Sequence, residues 1–208
     1  NLSIVDMAYQ KAPTPIAWAV SSNGVLLGIT YIPQQQIGAW HWHDTLGTFE
    51  SVAVVAEGDE DSVYLLVKRT IGSVTRRYVE RMAPRKFATL ADAFYVDCGL
   101  TYDGAATDTI TGLGHLEGET VSILADGAVH PERTVSGGSI TLDVDASTVH
   151  VGLGYFADVQ GLPFVAQIDG AFGQGRMKNV NKVFVRVHQS SGLFAGPDFD
   201  NLREYKQR

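Results

Sequence analysis

His41 and His43 are the side chains in this 208-residue sequence best placed to do chemistry. In an extended strand, residues two apart point to one face, so both imidazoles could reach a single metal ion. A metal needs a third ligand, and the sequence identifies none. The plainer reading is a strand whose histidines line a polar face while Trp40 and Trp42 pack on the other. His115, His130, His150 and His188 are scattered and could join the pair only through folding.

Carboxylates form the next candidates. Glu117 with Glu119, and Asp143 with Asp145, each share a face if extended, and glycosidases use two carboxylates set apart in space. Surface acids alternating with core residues explain these pairs equally well. Asp143-Val-Asp-Ala-Ser147 opens like a calcium loop, but Thr148 replaces the required Gly and Gly154 the closing Glu. The acidic turn Gly58-Asp-Glu-Asp-Ser62 reads as a solvated hairpin tip. Gly112-Leu-Gly-His-Leu-Glu-Gly118 and Gly170-Ala-Phe-Gly-Gln-Gly175 miss the dinucleotide spacing. There is no Walker lysine motif and no Gly-x-Ser-x-Gly elbow. The sequence therefore nominates no catalytic, cofactor-binding or metal residue, no cofactor and no enzymatic activity.

Charge is uneven beneath a formal net charge of −7. Lys68, Arg69, Arg76, Arg77, Arg81, Arg85 and Lys86 form a basic cluster with Tyr64, Tyr78 and Phe87 nearby. That mixture is compatible with a nucleic-acid groove, but cross-strand pairing with acids or subunit contacts explain it better, so DNA contact is possible and not predicted. From Asp97 to Asp169 the only Lys or Arg is Arg133, a surface that repels phosphate. Cys98 is the single cysteine, which excludes an internal disulfide and suits a reducing cytoplasm. No apolar stretch reaches membrane-span length, and no membrane partner is expected. The opening Asn-Leu-Ser-Ile-Val-Asp lacks a signal-peptide layout and an initiator Met, and with the abrupt Glu-Tyr-Lys-Gln-Arg208 end it reads as a fragment of a longer protein.

The elements that would position these residues are strands. Residues 16–20 lead into Ser21-Ser-Asn-Gly24, a hairpin signal because Asn and Gly tolerate positive φ. Residues 25–32, 37–43, 49–55, 63–70 and 74–82 follow at even spacing, with turns at 33–36, 58–61 and 71–73. Residues 84–93 are expected to form one short helix. Farther on, Val121 and Ile123 share a face, as do Ile140, Leu142 and Val144, and then Val149, Val151 and Leu153. A later strand over residues 179–188 is expected to rejoin the first sheet. The expected fold is all-β: an antiparallel meander sheet, propeller- or sandwich-like, with an inserted small β-barrel. The expected domains are a sheet domain at 1–96, the barrel at 97–160, and a truncated return strand at 161–208. Trp40, Trp42, Phe49 and Tyr64 are the expected core aromatics.

Several motifs in order carry a family resemblance. Leu26-Leu-Gly-Ile-Thr-Tyr31, Ala39-Trp-His-Trp-His-Asp44 and Gly47-Thr-Phe-Glu-Ser-Val-Ala53 resemble the tail-tube or nozzle-type structural proteins of short-tailed phages and prophages. Val63-Tyr-Leu-Leu-Val-Lys-Arg69, Arg77-Tyr-Val-Glu-Arg81, Asp97-Cys-Gly-Leu-Thr-Tyr-Asp-Gly104 and Gly112-Leu-Gly-His-Leu-Glu-Gly-Glu-Thr-Val121 fit the same pattern. The resemblance spans roughly residues 17–192. It implies that the middle segment is similar to the small barrel first described as the first catalytic-cysteine half-domain of ubiquitin-activating enzymes. That likeness is one of fold only, so Cys98 is not a thioester cysteine. The resemblance implies a virion protein, assembled in host cytoplasm, that self-associates in a ring or tube and contacts other virion proteins. The alternative is a carbohydrate- or receptor-binding module whose Tyr31, Trp42, Tyr102 or Tyr155 stacks on sugar rings. A polysaccharide-degrading tail enzyme is a third reading, requiring two carboxylates over an aromatic floor.

Overall fold

A computed structural model describes residues 2–161, 167–168, 171–172, 180–187 and 192–205. The chain divides into two compact units, Asn1–Ala157 and Asp158–Arg208. The protein is all-β, built from antiparallel sheets, with no α-helix among the described residues.

The first sheet has the order β1 (Ile4–Gln10), β2 (Ile16–Ser21), β3 (Leu26–Ile32), β4 (Ile37–His43). The hairpin expected at Ser21–Gly24 forms, with Gly24 at φ +81° donating its N–H to the Ser21 carbonyl at 2.9 Å. Gly24 also lies against Thr48, where a Cβ would meet that side chain at 2.6 Å. The second sheet is the meander β5 (Thr48–Glu57), β6 (Glu60–Ile71), β7 (Val74–Arg81). Alternation decides their facing: Ile16, Trp18, Val20 and Leu26 of the first sheet pack on Phe49, Val52, Val63, Leu65 and Val67 of the second. The result is a two-layer sandwich. Asp6 fastens the layers by accepting from Ser51 Oγ (2.5 Å) and Val52 N–H (3.0 Å).

The middle segment forms its own sheet in the order β10 (Ala128–Thr134), β9 (Thr120–Ala125), β11 (Ser139–Leu153), β8 (Asp97–Thr111). Its ladder ends at β10 and β8, so it is an open sheet; no closed barrel forms among the described residues. A separate core gathers Ile110, Val121, Ile123, Ile140, Val149 and Val151, with Ile71 of β6 packed into it. Register shifts between Thr141 and Ala146 break the alternation of β11, and Val144 therefore stands 66% exposed, not beside Ile140 and Leu142 as expected.

Three further expectations are corrected. Residues 84–93 contain only the single 3₁₀ turn Leu90–Asp92, closed by a reciprocal Thr89–Asp92 cap. Residues 180–187 carry no strand, and the first sheet takes no strand from them; positions 179 and 188 lie outside the described residues. Trp40 and Trp42 are exposed, whereas Phe49 is buried as expected and Tyr64 is half-buried. In the second unit β12 (Gln167–Ile168) pairs with β13 (Ala171–Phe172), and β14 (Leu193–Ala195) with β15 (Arg203–Tyr205).

Candidate functional site

β4 sits in the reverse orientation to the one the sequence leads one to expect. His41 and His43 face the sandwich core and Trp40 and Trp42 face outward. The His41 Nδ1 and His43 Nε2 atoms lie 3.0 Å apart, and both rings pack on buried Trp18, at centroid distances of 5.2 and 5.5 Å. Gly28, paired directly with His41 across the ladder, makes this possible: a Cβ there would meet the imidazole at 2.2 Å. Trp18 in turn donates its indole N–H to Gln10 Oε1 at 3.1 Å. Burial holds the pKa of His41 below its ordinary value, and the charge of Arg85 acts in the same direction. For His43, burial leads, His41 and Arg85 add to it, and Asp44 opposes. Among the described residues no cluster of three His, Cys, Asp or Glu side chains gathers for a metal.

A second polar cluster lies where the sandwich meets the middle sheet. Arg69 is fully buried, yet its guanidinium makes two 2.7 Å bonds to Glu80, reaches Asp97 at 3.2 Å and donates to the Leu46 carbonyl at 2.9 Å. Thr45 Oγ1 donates to Asp97 at 2.5 Å and accepts from Arg69. Burial pulls the Arg69 pKa down, but the Glu80 hydrogen bonds and the Asp97 charge outweigh it and the net shift is upward. Cys98 borders this cluster. Burial first, and the Glu80 charge second, push its thiol up to about 12 against the opposing pull of Arg69. A thiol in that state is a poor nucleophile at neutral pH.

Several of the remaining candidates are engaged in holding the chain together. Glu117 accepts from the Gly137 and Gly138 N–H groups at 3.0 and 2.7 Å. Asp143 pairs with Arg133 at 2.6 Å and Asp61 caps the Lys11 and Ala12 amides. In the basic cluster, Arg77 pairs with Glu50 at 2.6 Å and Arg81 with Glu57 at 2.7 Å. Tyr102, a sugar-stacking candidate, packs on the middle core and donates its hydroxyl to the Ala105 carbonyl at 2.6 Å. Tyr31, Trp42 and Tyr155 remain exposed.

Two of the hollows in the first unit lie beside candidate residues. One, of about 30 Å³ between Gln10, Asp61 and Arg81, has room for a single water. The other, about 280 Å³ and open, is mostly apolar and lined by Leu2, Ile4, Val25, Leu27 and Trp42. It opens onto the outer face of the first sheet. That face was not foreseen, because it draws on β1, where Met7 and Tyr9 point outward while Asp6 and Gln10 point in. No helix among the described residues is long and apolar enough to cross a membrane. No protein-family model matches the chain, and no curated protein matches it.

Proposed function

We propose that this chain is a virion structural protein of a phage or prophage, part of a tail or tail-tube assembly, acting through subunit interfaces and not through catalysis. One observation supports this most strongly: the clustered reactive side chains are spent on joining strands and layers. Arg69, Glu80 and Asp97 tie β6, β7 and β8; Glu117 holds a turn; His41 and His43 pack on Trp18. The ordered motifs quoted above supply the tail-tube resemblance. Its partners are copies of itself and other virion proteins, and its place is the virion, or host cytoplasm during assembly. A head-to-tail interface repeated by rotation closes a ring. Light scattering and negative-stain microscopy over a wide concentration range test this. A ring-sized particle is expected, and a strict monomer at the highest concentration rejects the proposal.

A second reading, carbohydrate or receptor binding, is favoured by exposed Tyr31, Trp42 and Tyr155. Glycan-array binding that disappears in Trp42→Ala would support it; an array without signal removes it.

A further inference from the structure

We propose that the outer face of the first sheet is a self-association surface that receives the same face of a second copy of this chain. The inference rests on the assembly reading and adds to it a two-fold contact between copies, separate from the head-to-tail contact that closes a ring.

Polarity is the first argument. A sheet with one face to water carries its apolar side chains inward and its polar ones outward. Both edge strands here do the reverse. β1 turns Asp6 and Gln10 inward, where each is hydrogen-bonded, and Met7 and Tyr9 outward. β4 turns its histidines inward and Trp40 and Trp42 outward, 73% and 63% exposed. The ladder aligns these into two apolar rows, Met7–Ala19–Leu27–Trp42 and Tyr9–Ala17–Ile29–Trp40. No charged residue stands in either row.

Area is the second. Tyr9, Tyr31, Trp40 and Trp42 are each 61–73% exposed, which at roughly 150–250 Å² per aromatic side chain amounts to about 500 Å². Met7, Leu27, Ile29 and the apolar hollow beside Trp42 extend it toward the ~800 Å² per partner of a standard specific interface. Patches of this size mark contact sites on soluble proteins.

Relief identifies the occupant. Along both rows β2 contributes only Ala, Ala17 half-buried and Ala19 buried, so the face is lowest along β2, while β4 presents the exposed Trp40 and Trp42. A two-fold axis running along β3 places each copy's Trp40 and Trp42 over the other's Ala17 and Ala19, with Met7 and Tyr9 of β1 flanking the partner's β4 edge at the rim of the contact. The surface is therefore complementary to itself, the requirement of an isologous contact. Aligned sheets pack in this way about 10 Å apart with interdigitating side chains. A glycan fits less well, since the hydrogen-bonding groups in the rows are only the Tyr9 hydroxyl and the indole N–H donors of Trp40 and Trp42, with no carboxylate, amide or guanidinium to bind sugar hydroxyls. A charged partner finds no counter-charge.

The test uses the 208-residue chain near neutral pH, with sedimentation equilibrium and tryptophan emission followed over the same concentration range. Emission is expected to shift to the blue as mass rises, because Trp40 and Trp42 leave water while Trp18 is already buried. Trp42→Glu, at an exposed edge, is expected to weaken self-association about 30-fold, the effect of losing one hot-spot side chain, without changing the circular-dichroism spectrum. Trp40→Lys should act likewise, and Val129→Glu, exposed on β10, should have no effect. Self-association that ignores Trp42→Glu and Trp40→Lys overturns this face and leaves the assembly reading standing. A monomer throughout overturns both. A blue shift on adding oligosaccharide at constant monomer mass overturns the second copy in favour of a glycan.

Discussion

With their pKa values lowered by burial, His41 and His43 make the fold sensitive to mild acid. The unfolded chain binds their protons first, near pH ~6.5, so stability is complete above that pH and falls as pH drops toward the lower folded values. Thermal midpoints should begin to decline as pH falls below about 6.5. The double substitution His41→Gln, His43→Gln should flatten the decline. Arg69 should tolerate change worst of the basic residues. Arg69→Ala leaves Glu80 and Asp97 without their partner and should cost about 3–5 kcal/mol in urea unfolding. Arg69→Lys should not restore the loss, since an ammonium cannot reproduce the two-bond contact to Glu80. Cys98 should react slowly with a disulfide reagent in the folded protein and rapidly in denaturant, because its thiol is pushed up to about 12. A fast native reaction would contradict that.

At the scale of the element, β4 shows where periodicity stops being informative. Alternation in Trp40-His-Trp-His43 fixes which residues share a face but not which face is buried. The choice was made by Gly28 on the neighbouring strand, whose missing side chain accommodates the His41 ring, and by Trp18 beneath it. Gly28→Val should therefore destabilise the sandwich by about 1–3 kcal/mol through overpacking, visible as a lower denaturant midpoint. Turns were the most legible elements, since Asn23-Gly24 and Gly72 accept left-handed backbone, with Gly24 and Gly72 at φ +81° and +55°. β1 was hidden because inward-facing Asp6 and Gln10 are polar, and residues 84–93, expected as a short helix, hold only the 3₁₀ turn Leu90–Asp92.

For the whole molecule, electrostatics and apolar area act in opposite directions. Each copy carries −7, so copies repel at long range, while the rows on the first sheet bear no charge to be screened. Added salt should therefore strengthen self-association through that face, and a contact built on Arg77 or Arg81 would weaken instead. Sedimentation at low and high ionic strength separates the two. The paired arginines on β7 also bear on nucleic acid: with Glu50 and Glu57 engaging them, DNA binding should be weak and vanish at moderate salt in a filter-retention assay.

The sequence by itself determined the all-β class, most strand positions in the first two sheets and the lack of a recognisable catalytic motif. These follow from local quantities: alternation, turn residues and the spacing of reactive types. Tertiary structure alone decided which face of β4 is covered, that Arg69 is buried between Glu80 and Asp97, and that β1 completes an apolar surface with β4 on the far edge. Each of these depends on a partner distant in sequence, Gly28 and Trp18 for His41, Asp97 for Arg69, Ser51 for Asp6, and no local pattern encodes such a meeting.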